Sequence, residues 1–224
     1  LIVDLRASPM TFMLRAGERR TMYKAGEGNR VESLARWFGC DGVPNPTIWS
    51  DDAHRAEAKA LLPPGNKILC LAPTANWQGK IWPAERFVEL AHRLTGPSGP
   101  LPGARIAVSG GRGEEALAAP VLEAFPEDRR IDLVGIGDML DGAEQLRRCD
   151  FVVSNDSGLM HLSAAVGTPT LGLFGPSPVE NYAPWGAKAA AVTTEIAYDD
   201  LFGPDYDRHT TGSLMTSLSV DAAE

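Results

Sequence analysis

The sequence predicts an α/β fold built on a parallel sheet, and three observations carry that expectation. From Lys67 onward, short apolar runs alternate with longer amphipathic ones, as repeated βα units require. Glycine and proline punctuate the joins between them. A smaller βα-like piece precedes this series, and Pro44, Pro46, Pro63 and Pro64 run between the two. Two α/β units joined in this way suit an enzyme that works in a cleft.

In chain order, the first piece, residues 1–62, reads as a strand at Leu1–Leu5, a short helix near Met10–Arg15, a strand at Thr21–Lys24 and a helix at Arg30–Phe38. The main unit, residues 63–192, reads as strands at Lys67–Ala72, Ala104–Ser109, Ile131–Val134, Phe151–Asn155 and Thr170–Phe174. Helices are expected between them at Ala84–Leu94, Glu114–Phe125, Met139–Arg148 and Leu159–Val166. Pro83-Ala84-Glu85 is a helix start, because proline stands where no intrahelical N–H is needed and a glutamate follows into the first turn. Gly96-Pro97 ends that helix, and the glycine- and proline-rich stretch 96–103 is expected as a surface connection. The closing residues 193–224 show little periodicity and no terminal helix, and are expected as a tail packing back toward the first unit. Leu1–Arg6 resembles a buried strand and has neither the basic start nor the cleavage site of a signal peptide, so the sequence is expected to begin inside a longer protein.

Composition narrows the function classes. The 224 residues are 44% hydrophobic and 22% charged, an ordinary globular balance. Charged residues or proline interrupt every apolar run before the roughly 18 residues that a membrane span needs. The three cysteines, Cys40, Cys70 and Cys149, are far apart and form no CxxC pair, which opposes a disulfide framework or zinc site and fits a reducing cytoplasm. A formal net charge of −8 opposes a broad nucleic-acid surface. An anionic ligand would therefore be held by local features: a lysine, backbone N–H groups and a helix N-terminus.

Such features fall at three strand ends. The run Phe151–Asn155 delivers Asp156, Ser157 and Gly158 to its carboxyl end, where open α/β sheets bind ligands. The next helix opens there with free N–H groups, Gly158 allows a phosphate close to the backbone, and His161 falls in the first turn. The plainer alternative is that Asp156 or Ser157 caps the helix and His161 packs. A hydrolytic triad fits poorly, because Asp156, Ser157 and His161 crowd one helix start and no GxSxG elbow occurs. After Pro73, the segment Thr74-Ala75-Asn76-Trp77-Gln78-Gly79-Lys80-Ile81-Trp82-Pro83 places a hydroxyl and an ammonium where both can reach one diphosphate. A solvated lysine and a packing Trp82 are the alternative. In Ser109-Gly110-Gly111-Arg112-Gly113-Glu114-Glu115, glycines permit close approach and Glu114 could bind the hydroxyls of a ribose, or the acidic pair could simply complement a helix dipole. Neither GxGxxG nor GxxxxGK[ST] is present. Arg15, Arg19, Arg20 and Lys24 could face an anionic acceptor or form a solvated basic face.

Taken together, Lys80-Ile81-Trp82-Pro83, Ser109-Gly110-Gly111, Asn155-Asp156-Ser157-Gly158-Leu159-Met160-His161, and Gly167-Thr168-Pro169 leading to Phe174-Gly175-Pro176 resemble the ADP-heptose:lipopolysaccharide heptosyltransferase family, glycosyltransferase family 9. The resemblance runs from about Leu1 to Pro184. It implies a GT-B architecture: a Rossmann-like donor domain facing, across a cleft, an N-terminal α/β acceptor domain whose first part is missing here. It also implies that Thr74 and Lys80 hold the donor diphosphate, with Lys80 stabilising the leaving group, and that Glu114 holds the ribose. Asp156 would hold sugar hydroxyls, Ser157, Gly158 and His161 would line the phosphate side, and adenine would lie near Gly137–Met139. The implied reaction moves a heptose from ADP-heptose to the inner core of lipopolysaccharide, with inversion, at the cytoplasmic face of the inner membrane. No cofactor, metal ligand or nucleic-acid partner is expected. Two departures matter. The family's general base is an aspartate in a glycine-rich loop that would precede Leu1, and Ala75 stands where many members carry a second hydroxyl. The rival readings are another nucleotide sugar on the same architecture and a non-catalytic nucleotide-sugar-binding module.

Overall fold

The computed structural model describes residues 2–4, 13–21 and 28–224. The chain forms two compact units, Leu1–Pro44 and Asn45–Glu224.

In the first unit, β1 (Ile2–Asp4) and β2 (Arg19–Thr21) pair in parallel. The second strand therefore lies earlier than the Thr21–Lys24 expected, and residues 22–27, like the first half of the helix expected at Met10–Arg15, lie outside the described residues. Helix α1 (Arg30–Phe38) begins with a reciprocal cap between Asn29 and Glu32 and ends at Gly39, whose φ of 70° is the left-handed conformation that glycine adopts at low cost. Arg20 Nε donates to Glu18 Oε1 at 2.8 Å, and Arg19 donates to the Leu14 and Ala16 carbonyls.

The second unit is a six-stranded parallel sheet. Its strands are β3 (Ile68–Ala72), β4 (Arg105–Gly110), β5 (Arg130–Val134), β6 (Phe151–Asn155), β7 (Thr170–Phe174) and β8 (Ala189–Thr193), in the spatial order β5-β4-β3-β6-β7-β8. Helices α3 (Ala84–Thr95), α4 (Glu115–Leu122), α5 (Met139–Arg147), α6 (Gly158–Ala165) and α7 (Val179–Tyr182) follow β3 to β7 in turn. The strands are apolar on both faces because both faces are covered. Leu69, Leu71, Ile106, Val108, Val153 and Leu173 point to one core with Phe87, Leu90 and Leu94 of α3. The alternate residues Ile68, Cys70, Ala107 and Val152 point to the other, with Ala143 and Leu146 of α5 and Leu162 of α6.

Several elements differ from the sequence reading. A helix α2 (Asp52–Leu61), capped by Asp51, packs against α5 within the second unit. Helix α4 stops at Leu122, three residues short of the expected end, with Pro120 inside it removing one helical hydrogen bond. Strand β8, alanine-rich and at the sheet edge, was not expected, since alanine carries no strand signal and its pairing with β7 decides the conformation. The closing segment is not featureless. Met215, Leu218, Val220 and Ala223 enter the core that contains Phe87, and a short terminal helix α8 (Val220–Ala223) lies on α3, where Arg93 bonds Asp221 and Glu224.

Candidate functional site

Strand order fixes where a site can form. Strands β4 and β5 extend the sheet to one side of β3, and β6, β7 and β8 extend it to the other, so the order reverses between β3 and β6. The loops leaving the carboxyl ends of that central pair diverge and open a crevice. The loop after β3 carries Thr74 to Lys80, and the junction after β6 carries Asp156 to His161.

Asn155 joins the two. Fully buried at the end of β6, it donates through Nδ2 to the Pro73 carbonyl at 2.8 Å and accepts at Oδ1 from the Trp82 amide at 3.1 Å. Trp82 is itself fully buried, edge-on to Phe87, with its indole N–H bonded to the Leu218 carbonyl at 2.9 Å. The closing segment grips the same loop from outside, through Ser213 Oγ to the Ile81 carbonyl at 2.5 Å and the Leu214 amide to the Gly79 carbonyl at 3.0 Å. The short 3-10 turn Gln78–Lys80 is thus held at both ends.

The resulting cavity, of about 460 Å³, is lined by Thr74, Ala75, Lys80, Glu114, Asp156 and His161 among others. Lys80 Nζ lies 2.5 Å from Asp156 Oδ2, with side chains only 22% and 8% exposed. On the β4 side, Thr74 Oγ1 donates to Glu114 Oε2 at 2.6 Å, and the Gly111 amide donates to the same oxygen at 2.6 Å. Among the described residues, both of these bonds go to Oε2, and a carboxylate has about four acceptor sites, so Glu114 can accept further hydroxyl donors at Oε1. Side-chain oxygens cap α1, α2 and α5, but none caps α6: Asp156 is engaged by Lys80, and Ser157 Oγ lies 3.3 Å from Ser154 Oγ. Capping therefore does not explain this junction. The start of α6 lines the cavity at Ser157, Gly158 and Leu159, where the dipole favours an anion. Surrounding protein pushes the His161 imidazole below the ordinary histidine range. Asp156 opposes this and Lys80 adds to it.

Seven of the sequence-derived residues thus line one cavity: Thr74, Lys80, Glu114, Asp156, Ser157, Gly158 and His161. Gly137 and Met139 are not among the lining residues. Gly137 has a φ of +76° beside Asp141, and Met139 is 66% exposed at the start of α5, beyond β5. Sequence reasoning passed over Asn76, Leu159 and Tyr182 in the lining and the positioning role of Asn155. Tyr182 has a usable signal, because it follows a strand, β7, whose carboxyl end opens on the same rim. Among the described residues, His54, Asp138 and Asp141 bring potential metal-ligating atoms within 4.8 Å of one another, but both carboxylates already cap α5 and none of the three lines the cavity. An Asp-x-Asp triplet, Asp205-Tyr206-Asp207, does not line the cavity either, and Asp207 accepts from the His209 amide at 2.8 Å.

A parallel sheet in this order, with its crevice at the reversal, defines a Rossmann-like unit of the kind that GT-B glycosyltransferases carry. The sequence pattern of glycosyltransferase family 9 (heptosyltransferase) matches residues 28–201, and the chain belongs to that family. It is 28% identical to lipooligosaccharide heptosyltransferase 2 of Haemophilus influenzae over 151 residues, 66% of this chain and 42% of that one. The crystal structure of the glycosyl transferase family 9 protein from Veillonella parvula shares the fold at a TM-score of 0.72 and 22% identity, covering 92% of this chain and 61% of that one. The E. coli heptosyltransferase WaaC with ADP does so at 0.62 and 21%, covering 92% and 57%. The chain spans less than half the length of the curated relatives it matches. No described helix is long and apolar enough to cross a membrane.

Proposed function

We propose that this cavity binds the diphosphate and sugar of ADP-heptose, and that the whole protein transfers the heptose to the inner core of lipopolysaccharide at the cytoplasmic face of the inner membrane, with inversion and without an obligatory metal. One observation carries the reading: the Lys80 ammonium and the uncapped start of α6 meet in one cavity at the sheet's reversal point. Thr74 and Lys80 hold the diphosphate, and Ser157, Gly158 and His161 line its other side. Glu114 takes the ribose hydroxyls through its open oxygen, Asp156 takes sugar hydroxyls, and the exposed Gly137–Met139 turn takes the adenine. Family membership supports this choice of nucleotide, as does the ADP held by the E. coli heptosyltransferase WaaC. In the transfer step, negative charge grows on the departing diphosphate as the anomeric carbon–oxygen bond breaks. Lys80 and the start of α6 are placed to stabilise it, in a crevice where the Lys80 side chain is largely shielded from solvent. The first unit, with Arg15, Arg19 and Arg20, belongs to the acceptor side. Calorimetric titration with ADP-heptose, UDP-sugars and GDP-sugars tests the reading: ADP-heptose should bind tightest, and Asp156→Ala should weaken it. Equal binding of all three nucleotides would overturn it.

A further inference from the structure

The charge inventory of the cavity does not suit the ligand as it stands. Lys80, from the loop after β3, contributes one positive charge. Glu114, at the start of α4, and Asp156, at the end of β6, contribute two carboxylates, and Tyr182 of α7 adds a phenol. One ammonium against two carboxylates leaves a net charge of −1 while His161 is neutral. The α6 dipole offsets only about half a charge. A nucleotide-sugar diphosphate is a diester with two strongly acidic phosphates. It brings two further negative charges and has no group of its own that titrates near neutrality.

His161 is the remaining lining residue able to change this balance. It stands in the first turn of α6, facing the same cavity as Lys80 and Asp156, and is exposed enough to exchange a proton with solvent. In the unliganded cavity, partial desolvation by surrounding protein and the Lys80 charge favour the neutral imidazole against the pull of Asp156. A diphosphate seated between Lys80 and the α6 amides adds nearby negative charge, which favours the imidazolium. We propose that His161 takes up a proton when the diphosphate of a nucleotide sugar seats in this cavity, so that donor binding is coupled to proton uptake. The inference rests on the donor-site reading above and adds a pH-dependent element to it. The sign follows: the free site holds fewer protons than the loaded one, so affinity rises as pH falls between the free and the bound His161 pKa.

Calorimetry of the 224-residue chain with ADP-heptose, run at pH 6, 7 and 8 in two non-phosphate buffers of different ionisation enthalpy, reads the proton directly. Affinity should rise at least about threefold from pH 8 to pH 6, against a limit of about tenfold per pH unit for one fully linked proton. The heat should depend on the buffer. His161→Gln should bind more weakly than the wild-type chain at pH 6 and lose both effects, and the imidazole NMR signal missing from that variant should titrate at higher pH in the loaded wild-type chain. Binding with no pH dependence, or a dependence that survives in His161→Gln, would overturn the proposal while leaving the donor site standing. No binding at any pH would remove the donor-site reading and this inference with it.

Discussion

Lys80 and Asp156 form an ion pair whose carboxylate is almost wholly shielded from water. That geometry aims the ammonium before any ligand arrives, and it means that removing either partner leaves the other uncompensated. Lys80→Ala should therefore lower donor affinity by roughly 1.5–3 kcal/mol, about ten- to 150-fold, as expected for one charge-assisted hydrogen bond. It should slow transfer by the full-length enzyme as well, and unchanged calorimetric binding would refute the assignment. Asn155 is a different case, since it touches no cavity space yet satisfies Pro73 and Trp82 together. Asn155→Leu leaves a buried carbonyl and a buried amide unpaired, and urea unfolding should show a loss of roughly 2–4 kcal/mol. Donor binding should weaken too, because the Lys80 loop loses its inner anchor. At this scale the sequence was most legible where residue type and strand end coincided, as at Asp156-Ser157-Gly158 and Lys80. Asn155 was illegible because its partners, Pro73 and Trp82, become neighbours only through the pairing of β3 with β6. Tyr182 was missed because it stands eight residues beyond the end of β7, and the sequence does not show that the intervening turn returns it to the rim.

Among elements, those with strong local signals stand where the periodicity places them. Strand β6 spans Phe151–Asn155, β7 spans Thr170–Phe174, and α3 starts immediately after Pro83 and ends before Gly96. Elements stabilised by tertiary contact were harder to read, as β8 and the closing segment show. The closing segment supplies Leu218 to the core and a carbonyl to Trp82, so its conformation depends on residues more than a hundred positions away. Its hold on the lysine loop can be measured at Trp82. Trp82→Ala removes a fully buried ring and should destabilise the fold by roughly 3–5 kcal/mol. Trp82→Phe keeps most of the apolar contact but loses the donor to Leu218, and should cost about 1 kcal/mol in the same urea titration.

For the molecule as a whole, every residue lining the cavity lies between Thr74 and Tyr182, within the second compact unit and above its own two-faced core. The segment Asn45–Glu224 produced by itself should therefore fold and bind ADP-heptose within about threefold of the 224-residue chain, under 1 kcal/mol of difference. Circular dichroism and calorimetry check both halves of that expectation, and a collapse of binding would mean that the first unit completes the site. The global charge of −8 makes the local origin of anion recognition explicit, because one ammonium and a helix end must act against the field of the whole chain.

The reversal between β3 and β6 has a further consequence. Lys80 and Asp156 are 76 positions apart in the chain, yet they work as immediate neighbours, and two complete βα repeats are looped out between them. On the donor reading, that looped-out wing holds the nucleoside end of the ligand, while the charged grip stays with the central pair of strands. Selection for a different nucleobase could then rewrite the turns after β4 and β5 and leave the gap between the two gripping groups untouched.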